Sequence, residues 1–460
     1  MSPSSPYADR REALRRRRRR RRLTALGAVL AVAALAVVVA GPWFGHLGLP
    51  WPGASSATAS GGAAGDNAGS EDLRVIGAED VWHNGPVTLR FRDADGKPIA
   101  AGWRVDGGAW TEGKRVHVRA PADHSGDGMH AVDVRPAGGG DVATTVKVGI
   151  DTTAPRVESA AVSPQRIDGT GTVKLSFAAP SEDGVTVEWA VVDALDKPIG
   201  AQGQPVAPSG PVTVAWKAPS VDGEKLGPGT YWLRVRAEDP AGNVTEERAA
   251  LACDHPVKAR IITDLPKAGR MVALTFDGGS GYAWRSMMNT LHARGAKGTF
   301  FCTGVSVDRY PEMARLALEQ GHTIANHSYD HPDFSTISYS EQVSQLDRNA
   351  DAWWKACEAI PQPFFRPPYG SQTATTVKAA GDAGYRYVVQ WNGDTGDWSG
   401  SSAKEVTANA LAAAKPGAII VFHTQWNSDA ALPAILKGLE KKDLKAVSMA
   451  ELRAAAGLPY

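Results

Sequence analysis

Cysteine is scarce in this chain of 460 residues, which contains three, at Cys253, Cys302 and Cys357. Three widely spaced thiols cannot form the set of disulfides that holds many small secreted domains together. At most one bridge can form, and the spacing does not select its pair. Cys302 stands in an apolar, strand-like run, which predicts a buried thiol. The chain is therefore expected to fold around apolar cores rather than around crosslinks.

Net charge is also nearly absent, because the chain sums to +1. This balance hides an asymmetry. Residues 1–22 contain ten Arg against Asp9 and Glu12, a net charge of +8, so the rest of the chain sums to −7. A mildly acidic body has no basic surface for nucleic acid, and we expect no nucleic-acid partner. The Arg run instead predicts a basic cytoplasmic segment that flanks a membrane span.

The segment that follows the Arg run, residues 23–44, contains no charged residue. As a helix it is long enough to cross a bilayer core of about 30 Å. The positive-inside rule then places everything after it outside the cytoplasm. Two interpretations remain open. We favour an uncleaved signal-anchor, which gives a single-pass cell-membrane protein with extracytoplasmic C-terminal domains. The alternative is a cleaved signal peptide and a secreted protein. Residues 45–70, rich in Gly, Ala, Ser and Pro, predict a flexible linker.

Residues 73–251 show short runs of alternating apolar and polar residues between turn signals, which is typical of an all-β fold. A weak internal repeat divides them, since residues 85–91 (GPVTLRF) match residues 171–177 (GTVKLSF). We predict two tandem β-sandwiches, at residues 71–153 and 154–254. The string IDTTAP at their joint resembles the immunoglobulin-like (Ig-like) repeats of bacterial surface proteins. Such domains are expected to be spacers or to bind glycan or cell wall.

After Gly269 the pattern changes to alternating strands and helices, which predicts a mainly parallel sheet in an α/β domain. Seven strands with short loops favour a barrel, complete or incomplete, over an open sheet. The predicted strands are Val272–Phe276, Gly298–Thr303, Thr323–Asn326, Pro363–Arg366, Tyr387–Trp391, Ala418–Phe422 and Leu444–Val447.

Polar residues follow five of these strands: Asp277, His327, Arg366, Asp394 and His423. The C-terminal ends of barrel strands meet at one rim, where active sites lie, so these side chains are expected to converge. His327 and His331 are four residues apart. On one turn of helix they would share a face and could bind one metal ion.

Five ordered motifs carry a family resemblance: TFDGG (275–279), HSYDHP (327–332), RPPYG (366–370), DTGDW (394–398) and VFH (421–423). Together they resemble the motifs of the NodB-homology polysaccharide deacetylases, carbohydrate esterase family four, over residues 267–460. The resemblance implies a distorted (β/α) barrel, a divalent metal that is usually zinc, and hydrolysis of acetyl groups on a polysaccharide.

The resemblance also implies a role for individual residues. His327 and His331 would hold the metal. Asp277 matches the general base and Arg366 the residue that fixes it. His423 matches the general acid, and Asp397 would orient His423 and raise its pKa. For substrate binding, the resemblance implies the backbone N–H of Tyr369 at the oxyanion, and an apolar slot for the acetyl methyl formed by Trp398 and Val421.

One position departs from the family pattern. The first motif usually reads TFDDG, and its second Asp is the third metal ligand, but here that position is Gly278. Metal affinity should therefore be weaker unless water, Asp277 or Asp330 completes the site. Three functions remain open: a deacetylase acting on peptidoglycan or another acetylated glycan, a non-catalytic wall- or glycan-binding protein with a degenerate metal site, and a hydrolase of another acyl amide.

Overall fold

The computed structural model describes residues 73–77, 82–200, 210–220, 223–279 and 281–459. The predicted basic segment, membrane span and linker lie outside these ranges and stay predictions. Within the described ranges, no helix combines the length and the apolar character needed to cross a membrane. The three cysteines are free thiols, and Cys302 is buried as predicted.

The first β-rich region contains two sheets. Their strands are β1 (Arg74–Ile76), β2 (Trp82–His83), β3 (Val87–Arg92), β4 (Ala101–Val105), β5 (Thr111–Gly113), β6 (Arg115–Val118), β7 (Gly128–Pro136) and β8 (Thr144–Ile150). One sheet has the order β1-β3-β6 and the other β2-β8-β7-β4-β5. Alternate residues of β3, such as Leu89 and Phe91, are buried in a core that also contains Val132 of β7. This alternation is what packing of two sheets requires.

The second β-rich region repeats this arrangement. Its strands are β9 (Glu158–Ser163), β10 (Arg166–Ile167), β11 (Thr172–Ala179), β12 (Thr186–Val192), β13 (Gly210–Lys217), β14 (Gly229–Glu238) and β15 (Val244–Cys253). The order β9-β11-β13 corresponds to β1-β3-β6, and β10-β15-β14-β12 corresponds to β2-β8-β7-β4. The repeat seen in the sequence therefore falls on equivalent strands, β3 and β11. The Ig-like assignment itself stays a prediction.

The C-terminal region alternates strands and helices. Its strands are β16 (Arg260–Ile262), β17 (Met271–Gly278), β18 (Thr299–Cys302), β19 (Thr323–Asn326), β20 (Phe364–Phe365), β21 (Tyr387–Val389), β22 (Gly393–Asp394), β23 (Ile419–His423) and β24 (Lys445–Val447). Its helices are α1 (Gly281–Ala293), α2 (Gly304–Arg309), α3 (Pro311–Glu319), α4 (Tyr339–Cys357), α5 (Ala374–Asp382), α6 (Ala403–Ala413), α7 (Trp426–Lys441) and α8 (Met449–Ala455), with 3₁₀ turns at Pro266–Ala268, Pro368–Gly370 and Asp397–Ser399.

These nine strands form one parallel sheet in the order β16-β21-β20-β19-β18-β17-β23-β22, and β24 pairs with the start of β17. The sheet curls into a distorted barrel, because the chain after β16 returns to the start of β23, where Asp264 forms a bridge with Ala418. All seven predicted strands are present. The short strands β16 and β22, of three and two residues, were not predicted.

Alternation along β17 separates the two faces of the barrel wall. Leu274 and Phe276 pack outward, against the core that includes Trp284 of α1. Ala273 packs inward with Phe301 of β18. Asp277 shares the parity of Ala273, so its carboxylate is directed into the barrel at the C-terminal end of the strand.

The second β-rich region contacts the barrel near the N-terminal ends of its strands. The hydroxyl of Thr230 on β14 accepts a 2.8 Å hydrogen bond from the N–H of Ile360, just before β20. The guanidinium of Arg166 lies 4.6 Å from the ring centroid of Trp354 on α4. A cleft of about 710 Å³ lies between the two parts. The polar residues singled out in the sequence lie at the opposite ends of the strands.

Candidate active site

Four of the five side chains predicted to converge, all except Asp394, do so at the C-terminal rim of the barrel. Asp277 is the last residue but one of β17, His327 follows β19, Arg366 follows β20, and His423 ends β23. A cavity of about 400 Å³ is lined by both Asp277 and His423. It is smaller than the cleft beside the second β-rich region, but it holds the groups that can exchange protons. We therefore regard it as the candidate active site.

Asp277 and Arg366 form a buried ion pair. Asp277 is 4% exposed and Arg366 is fully buried. Nη1 of Arg366 donates to Oδ1 of Asp277 at 2.6 Å, and its Nε donates to the carbonyl of Val389 at 3.1 Å. The guanidinium also stacks 4.2 Å from the centroid of Phe301. Burial lowers the pKa of Arg366, while the Asp277 carboxylate opposes that shift. The pair fixes one carboxylate oxygen and leaves Oδ2 directed toward His327.

His327 and His331 lie in a loop, so the prediction that they share a helical turn is wrong. Side chains, and not helical hydrogen bonds, hold this loop. Oδ1 of Asn326 accepts the N–H of Ser328 at 2.7 Å, and Oγ of Ser328 accepts the N–H of His331 at 3.0 Å. Ser328 and His331 adopt left-handed φ angles of 67° and 68°. The loop still brings the two rings together, with centroids 5.0 Å apart.

The chemistry of the two imidazoles suits a metal ligand. Nδ1 of His327 lies 2.8 Å from the carbonyl of Arg366, which can only accept, so Nδ1 carries the proton and Nε2 presents its lone pair. Burial lowers the pKa of His327 to about 4. Burial also lowers the pKa of His331. Both rings are therefore neutral near pH 7, the form that binds metal.

The described residues do not provide a third metal ligand beside the two histidines as part of a preformed cluster. Among the described residues, no three His, Cys, Asp or Glu side chains are arranged to hold a metal ion. Asp330 is turned toward α4, where its Oδ1 accepts from Gln345 at 2.8 Å and its Oδ2 lies 3.5 Å from Arg348. In this structure the Asp330 carboxylate therefore contacts α4 and not the two imidazoles. Oδ2 of Asp277, 3.9 Å from Nε2 of His327, is the carboxylate oxygen beside the imidazoles.

Gly278 stands where the family motif has its metal-binding Asp. Its backbone conformation is one that residues with a side chain rarely adopt. Its φ is +112°, and a Cβ built there would lie 3.0 Å from Oγ1 of Thr424. We expect Gly278→Ala to lower the free energy of unfolding by about 1–3 kcal/mol, because the new side chain is strained. Chemical denaturation would measure this. Gly85→Ala, where a Cβ meets nothing within 4 Å, is the control. Equal stability of Gly278→Ala and wild type would show that no strain is present.

His423 and Asp397 form the second proton-exchanging pair. Nδ1 of His423 lies 2.8 Å from Oδ1 of Asp397, and the His423 N–H donates to Oδ2 at 2.6 Å. Burial alone would lower the pKa of His423, but the hydrogen bond that it donates to Asp397 and the charge of Asp277 raise it above its usual value. Burial alone would raise the pKa of Asp397, but the hydrogen bonds from His423 and Ser428 lower it. The pairing therefore favours the protonated form of His423 and the ionised form of Asp397.

The raised pKa of His423 predicts a pH effect. The motif resemblance implies that His423 is a general acid, which must be protonated to act, so activity is expected to fall as pH rises through its pKa. In Asp397→Asn the carboxylate that raises this pKa is lost, so the alkaline limb of the rate profile is expected to move to lower pH. The rate of acetyl hydrolysis measured across pH 5–9 (a range of about four units around the ordinary pKa of His) tests this. An unchanged alkaline limb would mean that another group sets it.

The remaining predicted residues lie around the same rim. Tyr369, at φ 59° in the turn after β20, is 71% exposed, and its ring centroid is 4.7 Å from that of His331. Trp398 is 64% exposed beside Asp397. Val421 is buried on β23. Asp394 is exposed, and its side chain accepts the N–H of Gly396, so it stabilises a turn. The structure thus keeps Asp394 out of the cavity.

Two supporting residues were missed by the sequence analysis. Oγ of Ser428 donates to Oδ2 of Asp397, and Nδ2 of Asn427 donates to the Asp397 carbonyl at 2.9 Å. Both stand in the first turn of α7, just after the VFH motif. Their proximity to His423 in the chain was the available signal, but nothing in the sequence links them to Asp397.

Comparison with known proteins places this site in context. The polysaccharide deacetylase family model matches residues 264–388. A peptidoglycan-N-acetylglucosamine deacetylase of Bacillus cereus is 31% identical over 185 residues, 39% of this chain and 66% of that protein. One from Listeria monocytogenes is 34% identical over 195 residues, 42% of this chain and 41% of that protein. A chitooligosaccharide deacetylase of Bradyrhizobium is 33% identical over 156 residues, 34% of this chain and 70% of that protein. The chain thus spans less than two thirds of the first two relatives.

Proposed function

This chain belongs to the polysaccharide deacetylase family, and from that premise we propose that residues 267–460 hydrolyse acetyl groups on an acetylated glycan. The observation that carries the proposal is the pair of proton-exchanging groups on one cavity. Asp277 is held by buried Arg366, and His423 is held by buried Asp397. A carboxylate and an imidazolium at one cavity can remove and deliver one proton each, as hydrolysis of an acetyl group requires.

In the proposed reaction Asp277 removes a proton from a water molecule while the water oxygen bonds to the acetyl carbonyl carbon. Arg366 keeps the carboxylate oriented by its 2.6 Å hydrogen bond. His423 then donates its proton to the departing nitrogen or oxygen of the sugar, and the bond from that atom to the carbonyl carbon breaks. Acetate and a free amine or hydroxyl result. Asp397 orients the imidazolium and stabilises its charge.

A divalent metal, with zinc the proposed one, would be held by His327 and His331. When bound, such an ion polarises the carbonyl and lowers the pKa of a coordinated water. The two neutral imidazoles fit this ion, whereas Gly278 contributes no ligand, so we expect weaker binding than at a site with three protein ligands. The third position is left to water or to Asp277.

For the substrate we propose N-acetylated amino sugars of peptidoglycan, reached from outside the cytoplasmic membrane. The names of the relatives from Bacillus cereus and Listeria monocytogenes support this class. The backbone N–H of Tyr369 would donate to the carbonyl oxygen as it gains charge. Trp398 and Val421 would line the slot for the acetyl methyl. The β-rich regions, Ig-like by our proposal, would act as a spacer between a membrane anchor at residues 23–44 and the wall.

The metal requirement is tested by His327→Ala. This change removes one of two imidazoles, so we expect loss of most bound metal and most acetate release together. Metal content of the purified protein is measured beside activity. Lys437→Ala, at an exposed position on α7, is the control. If metal-free His327→Ala kept full activity, the requirement for a metal would be rejected.

A second function is supported by one observation. Gly278 and the lack of a three-ligand cluster among the described residues favour a wall- or glycan-binding protein without catalysis. The pairing of Asp277 with Arg366 and of His423 with Asp397 favours the enzyme, because binding a glycan does not need a carboxylate and an imidazole held at one cavity. Glycan binding without acetate release at any added metal would select the binding protein.

A further inference from the structure

We propose that Arg309 makes this enzyme selective for acetylated glycans that carry a carboxylate close to the acetylated sugar. The inference rests on the proposed function and names the substrate class of the same site. Arg309 is the last residue of α2 and lines the cavity that also contains Asp277 and His423. A substrate whose acetyl group lies between those two residues would therefore have Arg309 on its border.

Arg309 presents a cation without an acidic partner. It is exposed, and its guanidinium lies 5.3 Å from the ring centroid of Tyr310. In the part of the chain that the structure describes, no ion pair includes it. Its neighbour Asp308 is engaged elsewhere, since Oδ2 accepts from the hydroxyl of Tyr329 at 2.9 Å and Oδ1 lies 3.9 Å from Nζ of Lys355. Many surface arginines have water as their only partner, so the missing ion pair alone does not indicate a function. The position of Arg309 on the cavity is what indicates one.

The backbone beside the cavity is shaped to leave this border open. Gly278 and Gly279 contribute no side chains to the lining. A Cβ on Gly279 would lie 2.8 Å from Cβ of Ser306, and one on Gly281 would lie 2.9 Å from the ring of Tyr310. Glycine is thus required for α2 and Tyr310 to approach the end of β17 so closely. The cavity consequently continues from the catalytic carboxylate to Tyr310 and Arg309.

The chemistry of this border suits an acidic sugar. Val305, 46% exposed, and the ring of Tyr310 supply apolar surface for a sugar face, and Arg309 supplies a planar donor that matches a carboxylate. A neutral glycan would leave the guanidinium to water. In peptidoglycan, the matching group is a lactyl carboxylate that is free once its peptide has been removed. We therefore assign peptide-free glycan strands as the preferred form of substrate.

The test compares two substrates of the same shape with the full-length protein. Peptide-free peptidoglycan strands carry free carboxylates, and their methyl esters are neutral. For wild type we expect kcat/KM on the acid to exceed that on the ester by about tenfold, the scale of a hydrogen bond to a charged group, and added salt to reduce the difference. Arg309→Gln should bring this ratio close to one, and Arg309→Lys should restore part of it. Arg294→Gln, on the turn after α1 and away from the cavity, is the matched control and should keep the wild-type ratio.

Equal kcat/KM for acid and ester in wild type, or an unchanged ratio in Arg309→Gln, would overturn the inference while leaving the deacetylase intact. If wild type releases no acetate from either substrate, the proposed function fails, and equilibrium dialysis decides the inference separately. Tighter binding of the acid than of the ester, lost in Arg309→Gln, would support it. Equal binding would reject it.

Discussion

Asp277→Asn is expected to lower the rate of acetate release by about a hundredfold or more, the scale of losing a general base. The amide has nearly the same shape and can still accept the hydrogen bond from Arg366. The buried Arg366 cation loses its counter-charge, so we expect a lower free energy of unfolding but a retained fold. What is lost is the ability to take a proton from water. Initial rates with saturating metal, together with metal content, would separate loss of the base from loss of the ion.

The matched control for this substitution is Asp394→Asn. Asp394 lies on the same rim of the barrel, but it is exposed and its side chain caps a turn. We expect the control to keep most of the wild-type rate. A rate for Asp277→Asn equal to that of wild type, with the protein folded, would remove Asp277 from the role of base.

Arg366→Met is expected to have the largest effect on stability. Arg366 is fully buried, and its removal leaves the Asp277 carboxylate without its 2.6 Å partner. An uncompensated buried charge costs about 3–5 kcal/mol. We expect a loss of that size in the free energy of unfolding, measured with denaturant, and a loss of activity because the carboxylate is no longer oriented. The Asp277 base would lose its support, whereas the hydrogen bond of His327 would remain, because its acceptor is the backbone carbonyl of residue 366.

Two further variants make this result specific. Adding Asp277→Asn to Arg366→Met removes the unpaired charge, so the double variant should be more stable than Arg366→Met alone. Arg348→Met breaks an exposed pair with Asp330 and should cost about 1 kcal/mol or less. If Arg366→Met were as stable as Arg348→Met, the buried pair would not support the fold.

The barrel was predictable from the sequence because its signals are local. Each of the seven predicted strands is a short apolar run between turn or helix signals, and all seven are confirmed, as is the polysaccharide deacetylase family. The strand β22 contains no apolar side chain, so no apolar run marks it, and the sequence offers no comparable reason for missing the three residues of β16. The contact between Thr230 and Ile360 joins positions 130 residues apart, and no local sequence pattern predicts it.

The candidate site was predictable in composition but not in conformation. The positions after the strands identified Asp277, Arg366 and His423, which the structure brings to one rim. The prediction of a helical turn for the two histidines was wrong. A spacing of four residues does not reveal that the side chains of Asn326 and Ser328 accept backbone hydrogen bonds that hold this segment as a loop. Likewise the left-handed backbone at Gly278 cannot be read from its identity alone. The assignments of role and metal stay predictions until the substitutions are made.

The central claim is tested most directly by acetate release from peptidoglycan, chitin oligomers and acetylated xylan by the purified full-length protein. The protein is first treated with chelator and then supplied with zinc, cobalt or manganese. We predict little acetate release after chelation and restored release after metal is added. The glycan from which acetate is released identifies the substrate. No acetate from any of these glycans with any of these metals, from protein shown to be folded, would contradict it and would leave glycan binding as the function of the barrel.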